Sequence, residues 1–291
     1  MEKLQKILLL GASGWVGYHL ARALRALNPN VTLVGTCRKI RKPDSICPLY
    51  EFDNSEHVRL IEFSREFGAD MVVNLLRGED SDSFRLHLEL LSETTQRNLF
   101  YTYLSSSNAC DGDVSKRHYE SDRAHASTDY GKFKARCEDS LSDALSRNAQ
   151  VFRFAATHGW APNRISRTEE FLIQLSQNKT VRAYPGLIQN RTAIEDLADM
   201  MAALIIDRHT GIFHLGTIDE SNEIEFLRKL ALAFEYDSNL VQPGEEGQWI
   251  ATTVPGKILE LYQGRFRKSE TDTIARVSRT ASLQKYRRLS F

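Results

Sequence analysis

The sequence predicts an α/β protein built on a doubly wound parallel sheet, with a smaller and discontinuous second domain. Short apolar runs alternate with amphipathic stretches through the first half of the chain, which is the pattern of successive strand–helix units. A glycine-rich segment stands directly between the first apolar run and the first amphipathic stretch. Right-handed crossovers between such strands place helices on both faces of a single sheet.

The apolar runs and the helical periodicity fix the elements in order. Strands are predicted at 6–10, 31–36, 48–52, 70–76, 100–105 and 150–154. Apolar residues that recur at three- and four-residue steps predict helices at 14–27, 55–67, 83–97 and 129–147. Beyond residue 155 the alternation gives way to a loop-like stretch, a short helix and a Pro-Gly turn.

The segment 193–217 has the pattern of a further helix and strand, and we expect it to return to the main sheet. The first domain would then comprise residues 1–155 with about 193–217. The second domain would comprise residues 156–192 with 218–291, and it would be discontinuous in sequence.

Composition excludes several classes of function. The 291 residues contain 38 Lys and Arg against 38 Asp and Glu, a formal net charge of zero, so the attraction that nucleic acids and membrane surfaces exert on basic proteins is absent. The four cysteines have neither CxxC nor zinc spacing, which predicts reduced thiols and no metal site. The apolar stretch near the start is too short for a signal peptide or a membrane span. We therefore expect a cytoplasmic protein with a small-molecule partner.

The segment KILLLGASGWVGYHLARAL places a GxxGxxG pattern between the first strand and the first helix. Gly11 permits a sharp turn, Gly14 lets the backbone approach a pyrophosphate, and Gly17 lets the helix pack closely on the strand. The N–H groups that open the helix then face the phosphates. This placement favours a dinucleotide site over an alternative in which the glycines serve close packing alone. The residues assigned to the cofactor here are Gly11, Ser13, Gly14, Trp15, Val16 and Gly17.

The ends of the second and third strands bear on which dinucleotide is bound. A carboxylate about 20 residues past the glycines normally accepts the adenosine 2′-hydroxyl and favours NAD. This chain has GTCRKIRK there, without an acid, and Arg38 and Lys39 can pair with a 2′-phosphate. We therefore expect NADP(H) to be preferred over NAD(H), the alternative being that both cations are solvated loop charges. Asp53 could accept from the adenine amino group or simply cap the next helix.

The segment YGKFK carries the candidate catalytic pair. Tyr130 and Lys134 lie one helical turn apart on a shared face, in the first predicted helix after the strand that ends in three serines. A neighbouring ammonium lowers the pKa of a tyrosine from about 10, so Lys134 is predicted to tune Tyr130 as a proton donor. A serine hydroxyl would hold a carbonyl oxygen while a nicotinamide exchanged hydride with its carbon.

Together, the segments GASGWVG, YLSSSNACDG, HYESD and YGKFKARCE resemble the extended short-chain dehydrogenase/reductase family. More narrowly, they are similar to its dTDP-4-dehydrorhamnose reductase branch, which binds sugar nucleotides, over about residues 1–217. The resemblance implies a first domain that binds the dinucleotide and a second that binds the substrate. It implies a catalytic trio of Ser106, Tyr130 and Lys134, with Ser107 one step from the serine position.

The same resemblance implies a nucleoside-diphosphate sugar in the cleft between the domains. The residues that it assigns to the substrate are Ser107, Asn108, Trp160 and Arg191, with Arg191 at the diphosphate. Trp160 has the alternative role of closing the domain junction.

The chain also departs from the branch's pattern. Ser106-Ser107 replaces a usual Thr-Asp, Cys137 replaces a usual glycine, and Arg77 stands where small residues usually lie beside the nicotinamide. Arg77 either reaches a substrate phosphate or is a solvated loop residue.

The expected function is therefore an NADPH-dependent reductase of a 4-keto nucleotide sugar or a similar carbonyl compound. The alternatives are an epimerase or dehydratase that retains its NAD(P), and a non-catalytic NADP-binding regulatory subunit. No nucleic acid or membrane partner is expected, and the chain would be a monomer or a homodimer.

Overall fold

A computed structural model describes residues 5–40 and 46–288. Seven strands form one parallel sheet: β1 (Lys6–Leu10), β2 (Thr32–Cys37), β3 (Leu49–Glu51), β4 (Met71–Asn74), β5 (Phe100–Leu104), β6 (Ala149–Arg153) and β11 (Gly211–His214). Five helices cover it: α1 (Trp15–Leu27), α2 (His57–Phe67), α3 (Ser81–Arg97), α4 (Asp129–Ser140) and α6 (Ile194–Ile206). The strand order is β11-β6-β5-β4-β1-β2-β3.

The remaining elements are shorter. The strands are β7 (Ala156–His158), β8 (Val181–Ala183), β9 (Leu187–Gln189), β10 (Arg191–Ala193), β12 (Ser221–Asn222), β13 (Val241–Pro243) and β14 (Trp249–Ile250). The helices are α5 (Arg167–Ser176), α7 (Glu223–Ala233), α8 (Lys257–Leu261) and α9 (Glu270–Arg279). Short 3-10 turns cover Ser107–Cys110, Ser238–Leu240 and Ala281–Tyr286.

Two apolar cores enclose the main sheet, because successive side chains of a strand point to opposite faces. In β1, Ile7 and Leu9 enter the core covered by α1 and α6, whereas Leu8 and Leu10 enter the core covered by α2, α3 and α4. A third core lies between α5, α7 and α9, around Phe226.

The strand order reverses its direction at β1, since β2 and β3 lie on one side and β4, β5, β6 and β11 on the other. The chain therefore leaves the carboxyl end of β1 towards one side of the sheet and the carboxyl end of β4 towards the other, which opens a crevice between the two strands. In open parallel sheets, this switch point is where ligands bind. The doubly wound fold predicted from the sequence is confirmed.

The fourth helix is shorter than the predicted range of 129–147. α4 stops at Ser140, and residues 141–148 form turns in which Ala144 N–H donates to the Leu141 carbonyl at 2.9 Å. Leu141 and Ala144 are nevertheless buried in the core below α4. The apolar spacing that predicted a longer helix therefore serves packing and not helix continuation.

We retain the two-domain division as a proposal, with one change that the packing requires. The segment 257–266 was assigned to the second domain, yet Ile258 and Phe266 are buried in the core shared with α1 and α6. This segment therefore packs on the dinucleotide side of the molecule.

All four cysteines are buried and free. Among the described residues, no helix is both long and apolar enough to cross a membrane.

Candidate active site

Three loops meet at the switch point: the glycine-rich turn after β1, residues 75–80 after β4, and the serine turn after β5. The helix that carries Tyr130 and Lys134 packs against the last of these. The elements that the sequence analysis singled out are thus gathered at one edge of the sheet.

The glycine-rich turn has the geometry of a phosphate cradle. Gly11 has φ +81°, a conformation that favours glycine. A Cβ at position 17 would lie 2.4 Å from the Gly11 carbonyl oxygen, so α1 can pack this closely only with glycine there. Gly14 precedes α1, and within the described residues no side chain caps that helix and no acid occupies its first turn. The first N–H groups of α1 are thus free for an anion, and the turn fits a dinucleotide pyrophosphate.

A loop from beyond β7 holds the same turn from the other side. Asn163 Nδ2 donates to the Ser13 carbonyl at 3.2 Å, and the Arg164 guanidinium lies 5.7 Å from the Trp15 ring. Val16 packs on the core below α1. The Trp15 side chain is engaged as well, because its Nε1 donates to the Trp160 carbonyl at 2.7 Å.

Of the two predicted roles of Trp160, at the substrate or at the domain junction, its contacts favour the second. Its ring lies edge-on to Tyr18 and His19, with centroids 5.7 and 6.0 Å apart, and its carbonyl oxygen lies 2.9 Å from His19 Nε2. These contacts place Trp160 against α1, at the junction between the two proposed domains.

The candidate adenosine-side residues lie at the carboxyl ends of β2 and β3, where Arg38, Lys39 and Asp53 are all exposed. Hydrogen bonds from the backbone and hydroxyl of Ser55 lower the pKa of Asp53, and the Arg38 charge adds to this. Asp53 does not cap α2, because the residue at that position is Glu56. The GTCRKIRK motif runs on into residues 41 and 42, which lie outside the described residues.

Lys134 is buried beneath the candidate tyrosine. Its Nζ donates to the Leu104 carbonyl at 2.9 Å and lies 4.8 Å from the Tyr103 ring centroid and 5.7 Å from that of Tyr130. Burial lowers the pKa of Lys134 to about 8, while the interactions with Cys137 and Glu138 act in the opposite direction. The ammonium is therefore held at the end of β5, next to the Tyr130 ring.

The Tyr130 hydroxyl meets Ser106, whose hydrogen bond lowers the pKa of the phenol. Burial is the larger effect and raises that pKa above its usual value, while the Arg77 charge lowers it. The lowering of the Tyr130 pKa by Lys134 stays a prediction: the ammonium lies 5.7 Å from the ring centroid, while burial outweighs the groups that lower this pKa. Lys134 stands over the ring, and one of its ammonium N–H groups donates to the Leu104 carbonyl.

The serine turn is tied firmly to the helix that carries Tyr130. Ser107 is buried and its N–H donates to the Phe154 carbonyl at 2.9 Å, while the half-buried Asn108 donates to the Ser106 hydroxyl at 3.2 Å through its N–H. Asp111, which the sequence analysis did not single out, accepts from the Ser127 N–H at 2.6 Å and from the Thr128 hydroxyl. Thr128 in turn caps α4.

The prediction that Arg191 holds a substrate diphosphate is wrong, because its guanidinium is buried and hydrogen-bonded to groups inside the protein. Nη1 donates to the Ser221 carbonyl at 2.8 Å, to the Gln189 carbonyl at 3.0 Å and to Glu270 at 3.2 Å. The residue is only 1 % exposed. Its partner Glu270 lies 79 residues away, which is why spacing alone did not reveal the pairing.

A second buried ion pair supports α4, the helix that carries Tyr130 and Lys134, and sequence reasoning missed it too. Arg153 Nε lies 3.1 Å from both carboxylate oxygens of Glu138, and Ser105 donates to the same carboxylate. The pair joins α4 to the ends of β5 and β6. The four-residue spacing of Tyr130, Lys134 and Glu138 on one helical face was the signal available in the sequence.

The fold and this site define an α/β protein of the extended short-chain dehydrogenase/reductase type. Residues 85–252 match the RmlD substrate binding domain family. That match covers more than half of the chain, and the chain belongs to this family of oxidoreductases.

Individual relatives are distant in sequence. The chain is 20% identical over 247 residues to "Probable low-salt glycan biosynthesis reductase Agl14" of Haloferax volcanii, covering 80% of this chain and 81% of that protein. The crystal structure of dTDP-4-dehydrorhamnose reductase from Yersinia enterocolitica superposes with a TM-score of 0.77 at 16% identity, covering 94% and 98% of the two chains. That of dTDP-glucose 4,6-dehydratase from Bacillus anthracis in complex with NAD gives 0.78 at 10% identity, covering 94% and 95%.

Proposed function

We propose that the protein is an NADPH-dependent reductase of a 4-keto nucleotide sugar or a similar carbonyl compound. The observation that carries this proposal is the contact between the Tyr130 and Ser106 hydroxyls, with Lys134 buried beneath them at the edge that holds the glycine-rich turn. The family match to a substrate binding domain and the distant likeness to a glycan biosynthesis reductase support the substrate class.

The chemistry assigns a separate role to each residue. Ser106 orients the carbonyl oxygen by a hydrogen bond, and Tyr130 donates its proton to that oxygen. Burial raises the pKa of Tyr130, so the phenol is protonated at neutral pH and is ready to donate. Lys134 binds the nicotinamide ribose and holds a positive charge beside the phenolate that forms. The bound nicotinamide supplies the hydride.

For the cofactor, we propose Gly11, Ser13, Gly14, Trp15, Val16 and Gly17 at the pyrophosphate, and Asp53 at the adenine. Arg38 and Lys39 would pair with the 2′-phosphate and so favour NADP(H). Their exposure at the end of β2 supports this role. Each charge-assisted hydrogen bond contributes roughly 1.5–3 kcal/mol, so we expect NADPH to bind about 10- to 100-fold more tightly than NADH.

For the substrate, Ser107 and Asn108 remain the proposed contacts. Arg191 is excluded by its burial, and the contacts of Trp160 favour the junction over the substrate. A dehydratase would require an acid beside the catalytic serine, and Ser107-Asn108 offers none. We further propose a cytoplasmic protein without a nucleic-acid partner, present as a monomer or a homodimer. Four buried, free thiols support a reducing compartment.

The test is a titration of the purified protein with NADPH and NADH, followed by reduced-nicotinamide absorbance as 4-keto nucleotide sugars are added. We expect preferential NADPH binding and substrate-dependent loss of absorbance. Tyr130→Phe should bind NADPH normally and lose turnover. Tight binding with no net consumption of NADPH for any 4-keto sugar would contradict the reductase and favour an epimerase, a dehydratase or a regulatory subunit.

A further inference from the structure

Arg77 is the strongest feature of the site that the proposed mechanism leaves unused. Its guanidinium carbon lies 5.5 Å from the centroid of the Tyr130 ring. Its Nε is 3.7 Å from Glu79, a loose pair in which the Arg77 side chain is 81% exposed. The residue thus brings a permanent positive charge to the tyrosine from outside the catalytic helix.

The backbone that carries Arg77 is fixed at both ends. The Leu76 N–H donates to Asn74 Oδ1 at 3.1 Å, and Asp80 caps α3 by accepting from the Ser83 N–H at 2.7 Å. Between them, a Cβ at Gly78 would lie 1.9 Å from Ser83 Oγ. The loop is therefore packed tightly on α3, which fixes the backbone from which Arg77 reaches Tyr130.

Arg77 and Glu79 act on the tyrosine in opposite directions. The cation of Arg77 favours the phenolate, whereas the carboxylate of Glu79 favours the phenol, and the pKa of Tyr130 responds to both. Arg77 and Lys134 lie over the Tyr130 ring itself. The other charged and titratable groups on the elements around it are Glu79 and Asp80 after β4, Tyr101 and Tyr103 on β5, and Asp129, Lys132, Arg136, Cys137, Glu138 and Asp139 on α4.

We propose that Arg77 is a positioning residue that stabilises the Tyr130 phenolate formed in the reaction, and that Glu79 opposes it. This role rests on the proposed reductase function. In the step concerned, the O–H bond of Tyr130 breaks and the O–H bond of the product alcohol forms. Hydride from NADPH reduces the carbonyl carbon, the cofactor is oxidised, and the negative charge is left on Tyr130. A cation over the ring lowers the energy of that charge separation.

The first test is a titration of the Tyr130 hydroxyl that needs no substrate. Protein labelled with ¹³C at the tyrosine Cζ is followed by NMR against pH, and the Tyr130 signal is assigned with Tyr130→Phe. Arg77→Gln should move the titration to higher pH by about half a pH unit at low ionic strength, because an exposed charge at this range acts through a high dielectric. Glu79→Gln should move it to lower pH, and Arg77→Lys should stay close to the native protein.

Salt provides an internal control, because the displacement caused by Arg77→Gln should shrink as ionic strength rises. A displacement in the same direction for both glutamine variants, or none for either, would overturn the proposal. So would failure of Arg77→Lys to restore the native titration.

The second test is kinetic. Arg77→Gln should lower kcat about threefold, the factor that half a pH unit represents, and leave the KM for the carbonyl substrate unchanged. A rise in KM at constant kcat would show that Arg77 binds the substrate instead. If the Arg77 and Glu79 variants shift the titration of the Tyr130 hydroxyl as expected but the protein reduces no carbonyl substrate, the proposed function fails. If the protein reduces a carbonyl substrate but the variants leave that titration unchanged, only the role of Arg77 fails.

Discussion

At the scale of single residues, the helix that carries Lys134 is held by a buried ion pair. Lys134 and Glu138 lie one turn apart on α4, and Glu138 forms a fully buried pair with Arg153. Both side chains are almost completely removed from water, at 0% and 3% exposure. A buried charge without a partner is costly, so the pair fixes α4 against β5 and β6.

We predict that Glu138→Gln lowers the free energy of unfolding by about 3–5 kcal/mol, because it leaves the Arg153 charge buried and uncompensated. The matched control is Asp139→Asn, which removes the adjacent carboxylate from an exposed pair with Arg123 and should cost less than about 1 kcal/mol. Urea denaturation of both variants measures the difference. Equal effects of the two substitutions would show that the buried pair does not hold the helix.

At the scale of elements, the glycine-rich turn and α1 form one packed unit. Alanine at position 17 would gain about 1 kcal/mol in helix propensity over glycine. In the structure, however, the Cβ of an alanine at this position would lie 2.4 Å from the Gly11 carbonyl oxygen and 2.8 Å from the Ala12 Cα. Backbone atoms cannot rotate out of the way, so the overlap outweighs the propensity.

Gly17→Ala should therefore shift α1 away from the turn and weaken NADPH binding at least tenfold, a loss of about 1.4 kcal/mol. Gly247→Ala is the control, because a Cβ there meets no atom within 4 Å in the described structure. Fluorescence titration with NADPH compares the two variants. Unchanged affinity in Gly17→Ala would mean that the close packing of α1 is not needed for the cofactor.

The sequence predicts those helices and strands whose positions are set by the spacing of apolar residues and by turn residues close to them in the chain. Periodicity located the strands and helices of the sheet, and the positive φ at Gly11 is what a turn after β1 requires. The end of α4 was not predictable, because Leu141 keeps an apolar spacing for packing alone. The pairing of Arg191 with Glu270 and the raised pKa of Tyr130 depend on long-range burial, which short-range spacing does not encode.

At the scale of the whole molecule, Trp160 joins the loop beyond β7 to α1, the helix that follows the glycine-rich turn. Its carbonyl accepts from Trp15, and its ring packs on Tyr18 and His19 of α1. Three residues further on, Asn163 donates to the Ser13 carbonyl of the turn itself. The glycine-rich turn and α1 are thus contacted from across the proposed domain junction.

Trp160→Ala should accordingly weaken NADPH binding while leaving the KM for the carbonyl substrate nearly unchanged. Stability should fall by about 2 kcal/mol, less than for a fully buried tryptophan because this side chain is only partly buried. Trp249→Ala, at an exposed tryptophan, is the control for loss of an indole. If Trp160 instead contacts the substrate, Trp160→Ala should raise the KM for the carbonyl substrate and leave the affinity for NADPH normal. Cofactor titration and steady-state kinetics on the same two variants therefore decide between the interdomain role and the substrate role.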